Sequence, residues 1–300
     1  MKRKLECLAA PAALILVLTL AAPAAFAQSA SQPPQKKSAV APSSVPFDPH
    51  DLNGIWDPVN LSRSLNPPDG VAIYGTISKT PPPRTPWGQA KYDASEPSYG
   101  PKSVANGNDP IFSCAPSGIP RIFFFPQPTE FIQTPTRTVE FFEREHAYRE
   151  IYTDGRAHPA DLDPTWMGHS IGKWEGDTFV VDSVGFNDKA WLDFFGNPRS
   201  EKLHLIERWK RVDHDHLSLQ LIVDDPLAFT KEWVGDTKMY RLLPPKDAYM
   251  DELFCIQSEE DAFRDKIRLQ AVHDRPNAES QGKEKQAVPV TKPGQSAPQP

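Results

Sequence analysis

Leu203-His204-Leu205-Ile206-Glu207-Arg208-Trp209-Lys210-Arg211-Val212, Asp213-His214-Asp215 and His216-Leu217-Ser218-Leu219-Gln220-Leu221-Ile222-Val223 form the stretch on which the fold turns. Leu217, Leu219, Leu221 and Val223 recur at every second position, the period of a strand with one buried face and not of a helix. Leu203, Leu205, Glu207 and Trp209 share a face in the same way, and the short polar link reads as a hairpin. Outward from it the pattern repeats. Ser170–Glu175 and Thr178–Val184 flank Gly176-Asp177, and Thr129–Gln133 and Arg137–Phe142 flank Thr134-Pro135-Thr136. Ala147–Thr153, Ala228–Val234 and Met239–Leu243 complete the set. About eight to ten short antiparallel strands with tight turns predict a mainly β fold, an up-and-down barrel or a sandwich. The spacing predicts a meander over residues 129–243 and one C-terminal helix, Tyr249–Arg268, starting near Asp247. Residues 60–120 carry Pro67-Pro68, Pro81-Pro82-Pro83 and Pro86, and predict an extended segment wrapped around the outside.

The ends of the chain read differently. Lys2-Arg3-Lys4, the apolar run Leu8–Ala21 and Ala25-Phe26-Ala27 predict a signal peptide over 1–27 with cleavage before Gln28. The expected compartment is periplasmic or secreted, with no membrane span in the mature chain. Three bases and one acid leave with that segment, taking the net charge from −6 to −8. An acidic surface argues against nucleic acid as a partner, because phosphate neutralisation needs a basic face. Residues 28–46 and 269–300 are too polar and proline-rich to bury a core and read as disordered, leaving 47–268 as a single domain. Proline, at 33 of 300 residues, also excludes a helical bundle. Cys114 and Cys255 are the thiols left after cleavage. In an oxidising compartment they favour one disulfide. Closing so long a loop stabilises by up to ~5 kcal/mol on a chain-entropy account. Two unpaired buried thiols are the alternative.

The densest polar and aromatic region is 154–204. His158, His169, Asp188 and His204 are the acid–base candidates, because imidazoles titrate near neutral pH and work best beside a carboxylate. The long insertion Gly185–Ser200 carries Phe186, Trp191, Phe194 and Phe195 and could cover a barrel mouth or fold a small core of its own. Trp166 and Trp191 are expected to touch a ligand, and Glu207 with Arg208 to be polar groups inside the barrel. An inward Glu207 needs a partner, and an arginine of a neighbouring strand is the expected one. Gly168-His169-Ser170-Ile171-Gly172 fits the spacing of a nucleophile elbow, but no parallel strand precedes it and no helix can follow it before Gly176-Asp177. Glu201, His204 and Glu207 would share a helical face, yet this segment reads as strand, which separates them. His214 and His216 at a hairpin tip read as solvated, with adventitious metal binding on a shared face the alternative, and His146 in a charged turn suggests no chemistry.

Leu52-Asn53-Gly54-Ile55-Trp56 resembles the G-x-W opening of lipocalin-like (calycin) barrels. The resemblance implies a tryptophan closing the barrel floor beneath a late-strand arginine: Arg208, Arg211 or Arg241. Asp154-Gly155-Arg156-x-His158-Pro159, Trp174-Glu175-Gly176-Asp177-Thr178, Gly185-Phe186-Asn187-Asp188, Ser200-Glu201-x-x-His204 and Glu207-Arg208 resemble the signature of a large, uncharacterised family of exported bacterial proteins. That likeness implies a shared polar site without naming a reaction. Three readings follow. The first is a barrel holding a small, partly apolar molecule and performing acid–base chemistry on it as a lyase, isomerase or hydrolase. The second is a non-catalytic ligand-binding or envelope-interaction protein. The third is a metal-dependent hydrolase built on His158, His169 and His204. The sequence names no cofactor.

Overall fold

The computed structural model describes residues 45–59, 75–105, 107–263 and 266. The expected signal peptide, most of the 28–46 linker and the 269–300 tail lie outside them. Ten strands form one sheet: β1 Gly54–Pro58, β2 Thr129–Gln133, β3 Arg137–Phe142, β4 Tyr148–Tyr152, β5 His169–Glu175, β6 Thr178–Val184, β7 His204–Arg211, β8 His216–Asp224, β9 Trp233–Val234 and β10 Lys238–Leu242. Neighbours follow chain order from β1 to β8, and β10 pairs with both β8 and β1, so nine strands close into a barrel with β9 appended to β8. Strands that alternate in direction cannot close a ring of odd number without one parallel pair. That pair is β4–β5, through Ile151↔Ser170 and Tyr152↔Ile171. The antiparallel meander expected over 129–243 therefore holds apart from this one crossover, made by residues 153–168.

Alternation decides what fills the barrel. Leu205, Glu207, Trp209 and Arg211 of β7 and Leu217, Leu219, Leu221 and Val223 of β8 are buried, while the residues between them are not. Trp209 packs edge-on against Phe131 and Phe123 and lies against Tyr240. Trp56 of β1 is fully buried, its indole donates to Leu52 O at 2.9 Å, and the Arg211 guanidinium lies 5.4 Å over its ring. Arg211, not Arg208 or Arg241, is thus the arginine on that tryptophan. At the β5–β6 turn, Gly176 adopts φ 57°, a conformation that a glycine takes without strain.

Four expectations about elements need correction. Residues 86–94, expected to be extended, form helix α1, Pro86–Ala94. Thr85 caps it by accepting from Gly88 N, and Pro86 takes the first turn, where its missing N–H costs nothing. The segment does not merely wrap the outside either, because Ile119 and the 3-10 turn Arg121–Phe124 are buried, with Phe123 seated against Phe142 and Trp209. The C-terminal helix is shorter than expected: α2 is Gln257–Phe263. Its predecessor 249–256 is held in non-helical form by the Cys114–Cys255 disulfide and by Asp251, which bonds to Glu143 and His146 through its backbone. Ala228–Val234 is strand only at Trp233–Val234, because Ala228 and Phe229 close a turn on the Asp225 carbonyl. No helix among the described residues is long and apolar enough to cross a membrane.

Candidate functional site

Two polar constellations lie on opposite sides of the β5–β6–β7 wall. The inner one is a buried ion triad. Arg149 of β4 donates through Nε to Glu140 of β3 at 2.7 Å and through Nη1 and Nη2 to both carboxylate oxygens of Glu207 at 2.7 and 2.5 Å. Trp209 Nε1 also donates to Glu207, at 2.9 Å. One guanidinium between two carboxylates leaves the lumen short of a positive charge. Burial, with Glu207 adding repulsion, outweighs the pull of Arg149 and pushes the Glu140 carboxyl up to about 7. Glu207 is therefore an inner polar group paired with an arginine, but that arginine comes from β4, three strands away across the interior, and not from a neighbouring strand. Arg208 is not: it alternates to the outer face, where it bonds Glu175 at 3.2 Å. Ser170 also faces inward, hydrogen-bonded to Ser183 at 2.8 Å, so it forms no nucleophile elbow.

The outer constellation gathers three of the four acid–base candidates. The registers His169↔Val184 and Ser183↔Leu205 place His169, Val184 and His204 in one row across β5, β6 and β7, with Asp182 in the next row. His158 arrives from the crossover after β4. Its Nε2 lies 3.2 Å from Asp182 Oδ1, and its Nδ1 lies 2.8 Å from Nδ1 of His169. His204 Nε2 reaches the same Asp182 oxygen at 2.8 Å. Asp182 thus holds two imidazoles, and a third is chained through His158.

This chain constrains the protons. A ring nitrogen facing a carboxylate carries hydrogen, so His158 donates from Nε2 and, when neutral, accepts at Nδ1. His169 then donates from Nδ1 and presents a bare Nε2. Desolvation, followed by the neighbouring His158 and Arg156, lowers the His169 pKa and keeps the ring neutral. His204 moves the other way, raised first by its hydrogen bond to Asp182 and then by the charge of Asp182 and Asp224. Burial pushes Asp182 up, but the bonds and charges of His204 and His158 outweigh it and hold the carboxyl below its usual value. The imidazoles at the two ends of the chain are thus pushed in opposite directions, His169 down and His204 up, the divergence that acid–base sites exhibit.

Beside this cluster runs a groove of about 460 Å³. Ile171, Val180 and Ile206 form an apolar floor, and Tyr152, Arg156, Lys173, Arg208, Glu175 and Asp182 form its polar margin. Arg156 stacks 3.9 Å over Tyr152, which in turn stacks on His169 at 5.3 Å. Lys173 and Arg208 share Glu175.

The other candidates lie elsewhere. Asp188 and Trp191 line a separate cavity of about 160 Å³ with Trp87, Lys91 and Arg199. Trp191 lies 5.4 Å from Arg121, and the Trp166 carbonyl accepts from Ile119 N and Arg199. Neither tryptophan lines the groove. The 185–200 insertion folds no core of its own: Phe186, Leu192 and Phe194 are buried in the main core, Phe194 against Phe125, and Arg199 ties the segment to Ile119. Asp182 is the residue that the sequence reading missed. Its one signal was a lone acid on the outer face of a strand whose neighbours on that face, Val180 and Val184, are apolar. His214 and His216 pair with Asp215 and Asp213 at their hairpin, and His146 stacks on Phe254. Among the described residues no three His, Cys, Asp or Glu side chains are placed to hold a metal ion: the imidazoles bond to one another and to Asp182 instead of facing a common point.

No family description, curated protein or solved structure matches the chain.

Proposed function

We propose that this is an exported acid–base enzyme that binds a small, partly apolar anion in the outer groove of the barrel. His169 serves as base and His204 as acid. The observation that carries the reading is the unbroken hydrogen-bond chain His204–Asp182–His158–His169 beside an apolar floor with a charged margin. Withdrawal of a proton by His169 Nε2 builds positive charge on that ring. The Nδ1 hydrogen can then shift toward His158 and the charge toward Asp182, so that no isolated imidazolium forms. His204, partly exposed and with its pKa raised by Asp182, returns a proton to the other end of the reacting group. Along the margin Arg156 pairs with Asp154, and Lys173 and Arg208 pair with Glu175, so an anionic ligand group would compete for donors in exposed pairs while its hydrocarbon part lies on Ile171, Val180 and Ile206. Four of the sequence signatures contribute here: one Arg156 and His158, another Glu175, a third His204 and a fourth Arg208. The basic, apolar and small-residue run over 1–27 supports export.

A proton-transfer enzyme exchanges ligand hydrogen with solvent. Incubated in D₂O with a panel of branched oxo-, hydroxy- and enoyl-carboxylates, the protein is expected to promote deuterium uptake or turnover of a subset. His169→Ala should abolish it with the fold intact. Binding of the same acids, unaltered by Asp182→Asn and unaccompanied by exchange, would replace the enzyme by the non-catalytic binding protein.

A further inference from the structure

A third cavity, of about 360 Å³, lies between α1, residues 76–82 and residues 195–197, and shares no lining residue with the outer groove. We propose that it binds a small aromatic carboxylate, the ring held among Tyr92, Phe195 and proline faces and the anion held by Arg84.

Arg84 is the reason. It lines this mostly apolar cavity, yet no acidic side chain forms an ion pair with it among the described residues. Its guanidinium lies 3.5 Å over the Tyr92 ring, Nη2 donates to Asn197 Oδ1 at 2.5 Å, and Nε is buried without a hydrogen-bond partner. The nearby acids are committed. Asp193 accepts from Thr76, from Asn197 and from Phe195 N. Asp236 accepts from Ser78 and Lys79 N, and Asp93 accepts from Gln89. A partly buried cation without an ion-pair partner is costly, and burial lowers the Arg84 pKa although the charges of Tyr92, Asp193 and Asp93 pull the other way. The chain nevertheless pins it in place: Arg84 bridges Phe229 in a β-bridge, and Thr85 caps α1. Gly88 allows the helix to dock, since a Cβ there would stand 2.0 Å from Ala228 O.

The remaining walls choose the rest of the ligand. Pro81, Pro82 and Pro101 present rigid C–H faces, and Tyr92 and Phe195 add rings, a lining that suits a planar apolar body. One guanidinium suits a monocarboxylate, and exposed Lys79 at the rim adds attraction for an anion.

Calorimetry and amide shifts of the full chain with cinnamate and with neutral cinnamyl alcohol test this. Cinnamate is expected to bind about tenfold more tightly than the alcohol and to shift the amides of Thr76 and Phe195. Arg84→Met should remove the preference. Lys79→Glu, at an exposed position, should weaken cinnamate severalfold and spare the alcohol, and it decides the matter if Arg84→Met fails to fold. Because cinnamate also suits the outer groove, its affinity is read from the Thr76 and Phe195 amides, and Arg208→Ala should leave the affinity read there unchanged. No shift of those amides, equal binding of both probes at them, or a weakening there by Arg208→Ala in place of Lys79→Glu would overturn the proposal.

Discussion

Asp182 concentrates the chemistry of the outer site at one residue. Its pKa is held down and that of His204 is held up. A carboxyl depressed on folding adds stability above its unfolded value and loses it as pH falls through the folded one. An imidazole raised on folding adds stability below its unfolded value and loses it as pH rises through the folded one. The pair should therefore stabilise the protein most between the ordinary carboxylate range and the raised imidazole value. In Asp182→Asn, urea midpoints should drop inside this window and converge on wild type at the acid and alkaline ends. A uniform drop at every pH would mean that Asp182 acts by packing alone.

The three histidines were legible in the sequence as a cluster of types, and their partner was not. Asp188 sits beside Asn187 in an attractive polar loop, but Asp188 is exposed and drawn away to a separate cavity. Asp182 is hidden in a strand, and only the register of β6 between β5 and β7 brings it to both His158 and His204. Register is a pairwise property of distant strands, so no local pattern shows it.

At the scale of elements, alternation was the reliable guide and proline the misleading one. The period of two in β7 and β8 placed Glu207 inside, and followed one residue further it places Arg208 outside. Proline predicts extended chain on average, yet after Thr85 it begins a helix, because a capped first turn has no use for its N–H. The ion triad ties β3, β4 and β7 together and yields two predictions. Glu140 in the folded protein keeps its proton to about pH 7, while the unfolded chain releases it near the ordinary 4.5. The folded state then binds more protons across that interval, so stability should fall by on the order of 3 kcal/mol as pH rises through it. Glu140→Gln should flatten the slope in urea titrations at pH 5 and pH 8, and an unchanged slope would place the burden elsewhere. Arg149→Met leaves two buried carboxylates without a cation and should cost about 3–5 kcal/mol at neutral pH, read from the same midpoints.

For the whole molecule, the odd strand number explains the crossover: a nine-strand ring needs one parallel pair, and the connection that makes it carries Arg156 to the groove and His158 to Asp182. The Cys114–Cys255 bond joins the C-terminal segment to the proline-rich one across 141 residues. Reduction should lower the melting temperature, the bond contributing up to ~5 kcal/mol, and should open residues 249–263 to protease before the barrel. Simultaneous cleavage throughout would show that the barrel itself depends on the bond.

The central claim is that His204, Asp182, His158 and His169 form one continuous proton path. Two-dimensional NMR of imidazole ¹⁵N nuclei reads this directly, because a hydrogen shared between two nitrogens couples them. A coupling between Nδ1 of His158 and Nδ1 of His169 is predicted, with His158 protonated at Nε2, His169 bare at Nε2 and His204 titrating above His169. Uncoupled rings that titrate alike, unaltered by Asp182→Asn, would contradict the account.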